Sequence, residues 1–257
     1  VYRALVPNFR GAERAMAVGV KKISCLIVAS ETYQQLNSHM SVEQNVREIE
    51  KIARVAGDAG FEVTVGMGTS FICPYDGVLE EDYILRLIGR FVDAGIREVS
   101  LADSVGLAWP TLVRERVRAV LARWPDLRIG LHLHTLAGLA LANIFAAFEV
   151  GITHFEGSVG GIGGGIAMPI HTTNMGNVAT EDLIYLFESC GVSTGIDAEA
   201  VAAIGRHTQV LIGAGNAFVT AFGTLAAFLQ TSKEQLVRLR EAPPGDSRAV
   251  AVEGSHP

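Results

Sequence analysis

The stretch that decides the fold is residues 98–134, EVSLADSVGLAWPTLVRERVRAVLARWPDLRIGLHLH. Short runs rich in β-branched residues and leucine stand at its two ends, over Glu98–Ala102 and Arg128–His132, and predict strands. Between them, Pro110–Arg123 has the spacing of apolar residues that is typical of an amphipathic helix. A strand, a helix and a second strand in this order predict a βα unit followed by a parallel strand.

The same pattern recurs along the chain at intervals of roughly 25 to 40 residues, the size expected of βα units. The other predicted strands are Arg3–Val6, Ile23–Val28, Phe61–Val65 and Thr153–Phe155. The other predicted helices are Gly11–Val18, Val42–Ala59, Glu80–Ala94, Gly138–Val150, Thr180–Cys190, Ala198–Gly213, Ala217–Leu229 and Lys233–Arg240. Gly60, Gly95 and Gly151 follow three of these helices and are expected to cap them.

Composition excludes several classes of protein. The chain has 257 residues, 49% of them hydrophobic and 19% charged, which describes one enzyme-sized globular unit. A formal net charge of -6 disfavours nucleic acid as a partner. Three cysteines, Cys25, Cys73 and Cys190, are too few for a disulfide framework and suit a cytoplasmic location, with Cys25 and Cys190 expected to pack in the interior. Because no apolar run reaches roughly 18 residues, no membrane span is predicted.

Two parallel architectures fit the alternation, a doubly wound open sheet and a (β/α)8 barrel. Six predicted strands are two short of the eight that a closed barrel requires. The dinucleotide-binding form of the open sheet has a Gly-x-Gly-x-x-Gly turn after its first strand, and that turn does not occur here. The residue pattern alone therefore leaves both architectures open.

The segment Leu131-His132-Leu133-His134 carries the clearest chemical signal. Residues two apart on a strand point to the same face, so both imidazoles project together and could bind one metal ion. The alternative is two histidines with independent structural partners. Asp103 ends the preceding strand at the same carboxyl edge of the sheet, where parallel α/β proteins place their sites, although a turn-capping role explains it equally well.

Glycine fills six of the nine positions from Gly157 to Gly165. Such a segment has little side-chain bulk and much backbone freedom, and we expect a mobile lid over the site rather than a plain connection. The spacing of its glycines matches neither the phosphate-binding loop of nucleoside triphosphatases nor the dinucleotide-binding motif.

With these residues in view, the chain resembles the hydroxymethylglutaryl-CoA lyase branch of the metal-dependent carbon–carbon lyases and acyltransferases. The resemblance extends from Val1 to about Gly213. Its motifs are Val6-Pro7-Asn8-x-x-Gly11, Ala29-Ser30-Glu31, Cys73-Pro74-Tyr75-Asp76-Gly77, Leu101-Ala102-Asp103-Ser104-Val105-Gly106, His132-x-His134 and Gly176-Asn177-Val178-Ala179-Thr180-Glu181-Asp182. The resemblance implies a (β/α)8 TIM barrel, of which this sequence holds strands three to eight.

The resemblance also implies a chemistry. His132, His134 and Asn177 would hold a divalent cation, Mg2+ or Mn2+, together with an Asp on the family's first strand. A hydroxymethylglutaryl-CoA-like substrate would be cleaved to acetyl-CoA and a keto acid. Asp103 corresponds to a family residue that is important for this reaction, and His171 is a second candidate for moving the proton.

Asn8, Glu31, Thr69 and Gly165 are expected to line the substrate site. The sequence nevertheless departs from the family in three ways. The first two βα units, with the metal-binding Asp, are missing, so we expect the given sequence to be incomplete at its N-terminus. Gly165 stands where the family has a catalytic Cys, and Thr64 stands where it has an Arg. An aldolase or Claisen-type acyltransferase of the same superfamily, and a non-catalytic homologue, are the alternatives.

We expect one barrel domain with C-terminal helices over residues 1–240 and a disordered tail over residues 241–257. The expected partner is a small acyl-CoA or keto-acid substrate, and the expected assembly is a homo-oligomer. Neither nucleic acid nor a membrane is expected to bind.

Overall fold

The computed structural model describes residues 2–164 and 176–213, together with single positions 230, 234, 237 and 241. Its strands are β1 (Arg3–Val6), β2 (Lys22–Val28), β3 (Glu62–Gly68), β4 (Ile72–Cys73), β5 (Gly77–Val78), β6 (Glu98–Asp103), β7 (Arg128–Leu133) and β8 (His154–Glu156). Its helices are α1 (Phe9–Ala17), α2 (Glu31–Ser38), α3 (Val42–Asp58), α4 (Glu81–Asp93), α5 (Pro110–Arg123), α6 (Ala140–Phe148), α7 (Thr180–Ser189) and α8 (Ala198–Ile212).

Six strands form one parallel sheet in the order β1-β2-β3-β6-β7-β8. Apart from the separate β4–β5 hairpin, neighbours in this sheet are consecutive along the chain, so its order never reverses. A doubly wound sheet has such a reversal, whereas the strands of a (β/α)8 barrel follow one another around the wall. The described residues therefore form a half-barrel of six strands, and the assignment of these strands as the third to the eighth stays a prediction.

The two faces of the sheet differ because side chains alternate along each strand. One face carries the apolar core, with fully buried side chains such as Ile23, Met67, Leu101 and Leu131. Burying this face against the helices is the main stabilising contribution, since a buried Leu or Ile side chain contributes about 1.5–3 kcal/mol. Cys25 belongs to this core as predicted, whereas Cys190 is exposed, so its predicted packing role is wrong.

Cys190 is exposed because α7 ends immediately before it. An amphipathic pattern does not say where the last buried turn of a helix stops.

The opposite face is polar and concave. It carries Lys22, Thr64, Ser100 and His132, which lie on the same side of their strands because side chains alternate along each strand. Its curvature brings β1 and β8, the two outer strands of the described sheet, within reach of each other: Arg3 Nη1 donates to Glu156 Oε1 over 3.0 Å. This concave face is the interior of the half-barrel and positions the candidate site.

Local signals explain several helix boundaries. Ser41 and Gln44 form a reciprocal capping box at the start of α3. Gly60 and Gly95 follow α3 and α4 with φ values of +77° and +89°, a conformation that favours glycine, so their predicted capping role is confirmed. The predicted strands and helices in the described ranges lie within three residues of the observed ones.

Helix α2 and the β4–β5 hairpin were absent from the sequence prediction. Helix α2 begins at the Ser30 cap, whose hydroxyl accepts a hydrogen bond from the Tyr33 N–H. The hairpin lies between Thr69 and Glu80 and is clamped by Arg116 of α5. The Arg116 Nη1 and Nη2 atoms donate to the backbone oxygens of Ser70 and Leu79, each over 2.6 Å, and the guanidinium is buried.

The predicted helices Ala217–Leu229 and Lys233–Arg240 lie outside the described residues except for single positions, as does nearly all of the predicted tail 241–257. In the part of the chain that is described, no helix is long and apolar enough to cross a lipid bilayer.

Candidate active site

The His132 and His134 imidazoles meet at the carboxyl end of β7, on the concave face. Their Nε2 atoms are 3.3 Å apart and their ring centroids 5.3 Å apart. Two nitrogens bound to one small divalent cation at about 2.1 Å lie roughly 3.0–3.3 Å apart. The separation of the two imidazoles therefore fits two ligands of a single ion.

His134 is the more buried of the pair. Burial, and secondarily the neighbouring His132, lowers the pKa of His134 to about 4, while contacts with the Ser104 backbone and the Asn177 side chain act in the opposite direction. The imidazole is consequently neutral at pH 7. A neutral ring has a nitrogen lone pair available, which a metal ligand requires.

Asn177 is brought to the histidines by backbone pairing. It forms an antiparallel bridge with His134. Its Nδ2 donates to the Ile162 oxygen over 2.8 Å, which fixes the orientation of the amide. Its Oδ1 is buried and accepts no well-formed hydrogen bond from any described residue. A buried acceptor of this kind is costly unless it has a partner, and a cation or a substrate donor would supply one.

The base of the glycine-rich segment is tightly held. Both Glu181 carboxylate oxygens accept from the Gly160 N–H, over 2.9 and 3.0 Å. The Ser158 hydroxyl donates to the Ile162 oxygen over 2.6 Å, and Ser158 forms a parallel bridge with Ala179. These contacts fix the Ile162 oxygen, and through it the Asn177 amide.

The donor set fits a cation with open coordination positions. Two imidazoles and one amide oxygen leave positions for substrate or water, and imidazole–oxygen ligation suits Mg2+ or Mn2+. Groups of three or more His, Cys, Asp and Glu side chains that could hold a metal do not occur among the residues in ranges 2–164 and 176–213. A metal site at this position would therefore need the Asn177 oxygen in addition to the two histidines.

Sequence reasoning missed Glu156. It pairs in register with His132 across β7 and β8, and its Oε2 lies 3.4 Å from His132 Nδ1. Contact with His132 lowers the pKa of Glu156, and Arg3 adds to this effect, so the carboxylate is ionised at neutral pH. The sequence contained a signal for this contact: Glu156 ends β8, the strand that follows β7 along the chain, and β7 carries His132.

Asp103 does not join the histidines. In register it pairs with Leu133, so its side chain points to the helix-facing side of the sheet, opposite to His132. Its carboxylate accepts backbone N–H groups from Gly106, Leu107 and Ala108 over 3.1, 3.3 and 2.9 Å. Burial raises the pKa of Asp103 to about 6 against the opposing effect of these hydrogen bonds.

Three predicted substrate-binding residues also make structural contacts. Asn8 caps α1, with its Oδ1 accepting from the Gly11 N–H over 2.9 Å. Glu31 Oε2 accepts from the Val42 N–H over 2.9 Å and so joins the starts of α2 and α3.

Thr69 is fully buried, with a φ of +52° that is unusual for a residue other than glycine. Its N–H donates to the Ser104 hydroxyl over 2.9 Å. The last two predicted site residues, Gly165 and His171, lie outside the described residues.

Comparison with known proteins shows to which family the chain belongs. The sequence model of the HMGL-like family matches residues 1–207. The (R)-citramalyl-CoA lyase of Chloroflexus aurantiacus is 35% identical over 236 residues, covering 89% of this chain and 74% of that protein. The hydroxymethylglutaryl-CoA lyase YngG of Bacillus subtilis is 34% identical over 212 residues, covering 82% and 70%.

Solved structures agree. An HMG-CoA lyase from Acinetobacter baumannii, in complex with coenzyme A and 3-methylmalate, superimposes with a TM-score of 0.81 at 30% identity, over 88% of this chain and 73% of that one. The Bacillus subtilis HMG-CoA lyase superimposes with a TM-score of 0.78 at 34% identity, over 83% and 71%. By sequence and by fold, the chain belongs to the HMGL-like family.

Proposed function

We propose that this protein is a carbon–carbon lyase that cleaves a CoA thioester of the 3-hydroxy-3-methylglutaryl type to acetyl-CoA and a keto acid. The observation that carries the proposal is the convergence of the His132 and His134 Nε2 atoms next to the buried Asn177 Oδ1, which accepts no well-formed hydrogen bond from the described residues. The relatives that match over most of the chain are lyases acting on substrates of this class.

His132, His134 and Asn177 would hold Mg2+ or Mn2+. When bound, such a cation supplies Lewis-acid polarisation of the substrate's oxygens. The protein's own contribution is to orient the ligand atoms: burial holds His134 neutral, and the Ile162 oxygen accepts from Asn177 Nδ2 and so fixes the orientation of the amide.

Cleavage requires two proton transfers. A base takes the proton of the C3 hydroxyl, the C2–C3 bond breaks to give a ketone and the enolate of acetyl-CoA, and the enolate carbon then takes up a proton. Asp103 and His171 are the candidates for these transfers. Because the Asp103 carboxylate accepts backbone N–H groups of the turn over Gly106–Ala108, we expect it to shape this edge of the site, and His171 is the first candidate for the proton transfers.

The identity of the acyl group is the finer question. The two curated relatives act on different hydroxyacyl groups, and Gly165 replaces the thiol that the resemblance leads one to expect. We therefore propose 3-hydroxy-3-methylglutaryl-CoA as the first candidate substrate and (R)-citramalyl-CoA as the second, the latter on its 35% identical relative.

The test is acetyl-CoA release from both thioesters, with Mn2+ supplied, by the full chain and by a variant with His132→Ala and His134→Ala. We expect release by the first protein only. Bound Mn2+ without release from either thioester would favour a non-catalytic homologue, and condensation of acetyl-CoA with a keto acid in place of cleavage would favour a Claisen-type acyltransferase. If the missing thiol limits cleavage of the first substrate, Gly165→Cys should raise that rate by up to roughly 10²- to 10⁴-fold.

A further inference from the structure

A network of charged side chains fills the concave face below the histidines. Each of the six strands of the half-barrel contributes one residue to it: Arg3, Lys22, Glu62, Glu98, Arg128 and Glu156. At five of the six positions the partners are other members of the network. Glu156 differs, because it also contacts the candidate metal site.

The two carboxylate oxygens of Glu156 serve two partners. Oε1 accepts from Arg3 Nη1 over 3.0 Å, and Oε2 lies 3.4 Å from His132 Nδ1. The other ring nitrogen of His132, Nε2, is the atom that faces His134 Nε2. Arg3, Glu156, His132 and His134 thus form a continuous chain of polar contacts from β1 to the carboxyl end of β7.

We infer that Arg3 and Glu156 are positioning residues that fix the His132 ring with its proton on Nδ1 and its lone pair on Nε2. This inference rests on the metal site of the proposed function. A carboxylate beside Nδ1 favours the tautomer that is protonated there, and the Nε2 lone pair then points toward His134. Two protonated Nε2 atoms at 3.3 Å would repel each other, so the contact with Glu156 removes that arrangement.

Arg3 suits this role because of its geometry. Its Nη1 contacts Glu156 while its Nη2 donates to Glu98 Oε1, so the planar guanidinium is held at both ends. A lysine at position 3 presents a single flexible ammonium and lacks this fork. The side chains of Arg3, Glu156 and His132 are 34%, 41% and 32% exposed, so their contacts contribute little to folding stability. We expect Arg3 and Glu156 to affect the orientation and the tautomer of the His132 ring instead.

The test measures two properties of the full chain. Long-range 1H–15N correlation spectra of the metal-free protein report the His132 tautomer, and titration with Mn2+ alone, followed by the electron paramagnetic resonance of free Mn2+, reports affinity. The variants are Glu156→Ala and Arg3→Met. The matched control is Glu62→Ala, which removes a carboxylate of the same network that contacts Lys22 and Arg128 but not His132.

We expect the Nδ1-protonated tautomer in the unmodified protein and in Glu62→Ala, and a shift toward Nε2 protonation in Glu156→Ala. Mn2+ should bind about 10- to 100-fold more weakly to Glu156→Ala, as for other partners of metal-binding histidines. Arg3→Met should change both properties in the same direction by less, and it tests the inference even if Glu156→Ala does not fold.

An Nε2-protonated His132 in the unmodified protein, or an unchanged tautomer in folded variants, would overturn the inference. If the tautomer shifts as expected but the unmodified protein does not bind Mn2+, the positioning role stands and the metal site of the proposed function fails.

Discussion

The two ends of the concave face share the same strands and differ in how well their polar groups are satisfied. At the amino end, the Glu98 carboxylate is ion-paired with Arg3, Lys22 and Arg128. At the carboxyl end, His132 and His134 face each other through ring nitrogens, and Asn177 Oδ1 has no well-formed hydrogen bond within the described residues. Folding thus completes the contacts of one end and leaves acceptors available at the other, where a ligand can use them.

The largest expected effect comes from removing the acceptors at the carboxyl end. His132→Ala and His134→Ala should each weaken Mn2+ binding by at least about 100-fold and reduce turnover in parallel, because one imidazole and an amide hold an exchangeable ion poorly. Equilibrium dialysis and acetyl-CoA release measure the two losses. His154→Ala is the control, since His154 is exposed on β8 and contacts Thr153. Unchanged Mn2+ affinity in both site variants would contradict the conclusion that the carboxyl end of the concave face binds a ligand.

A second prediction uses two buried titratable groups near the carboxyl ends of β6 and β7, His134 on the concave face and Asp103 on the opposite face. They should affect stability with opposite signs in metal-free protein. The pKa of His134, lowered to about 4 from 6.5, makes stability fall as pH drops from 6.5 toward 4, because only the unfolded chain takes up the proton. The pKa of Asp103, raised to about 6 from 3.8, makes stability fall as pH rises through the same range, because the folded protein holds its proton longer. Each effect is about 3 kcal/mol at most.

Urea unfolding at pH 4 and pH 6.5 separates these effects. The difference in free energy of unfolding between the unmodified protein and His134→Gln should increase with pH, and the corresponding difference for Asp103→Asn should decrease. If these differences in free energy do not depend on pH, burial does not shift the pKa values of His134 and Asp103 as described.

The third prediction concerns the amino end, where a substitution should reduce folding stability without removing a candidate metal ligand. Glu98→Ala leaves three cations close together without their shared carboxylate and should lower the free energy of unfolding by about 2 kcal/mol, less than for a fully buried pair because Arg3 and Arg128 reach solvent. Denaturant unfolding measures this change. Glu43→Ala, which removes an exposed carboxylate paired with Arg47 and Arg90, should have a much smaller effect. Equal losses in the two variants would contradict a special role for the amino-end network.

The smallest expected effect concerns Asn8, which lies outside both ends. Asn8→Ala should cost about 1 kcal/mol of stability through loss of the α1 cap. Asn8→Asp, which preserves a capping oxygen, should restore most of it. If the KM for the acyl-CoA rises in Asn8→Ala and also in Asn8→Asp, the predicted substrate contact is supported in addition to the cap.

Much of this arrangement could be predicted from local sequence, and the rest depends on distant contacts. Strand alternation placed His132 and His134 on one face, and the same rule applied to Val99, Leu101 and Asp103 would have placed Asp103 on the apolar side. The orientation of the Asn177 amide could not be predicted, because it follows from a bridge to His134 and a hydrogen bond to Ile162. Helix α2 was missed because its start depends on the Ser30 cap rather than on a strong amphipathic pattern.

The clamp made by Arg116 has a consequence for the order in which the molecule opens. A buried guanidinium that binds the Ser70 and Leu79 oxygens, with its Nε unpaired within the described residues, cannot leave the loop without exposing those carbonyls. Residues 70–79 and helix α5 therefore open as one cooperative unit in hydrogen exchange, although more than 30 residues separate them along the chain. The amides of Ser70 and Leu79, bonded to the oxygens of Ala102 and Phe71, then exchange at the pace of α5 rather than at that of a surface loop.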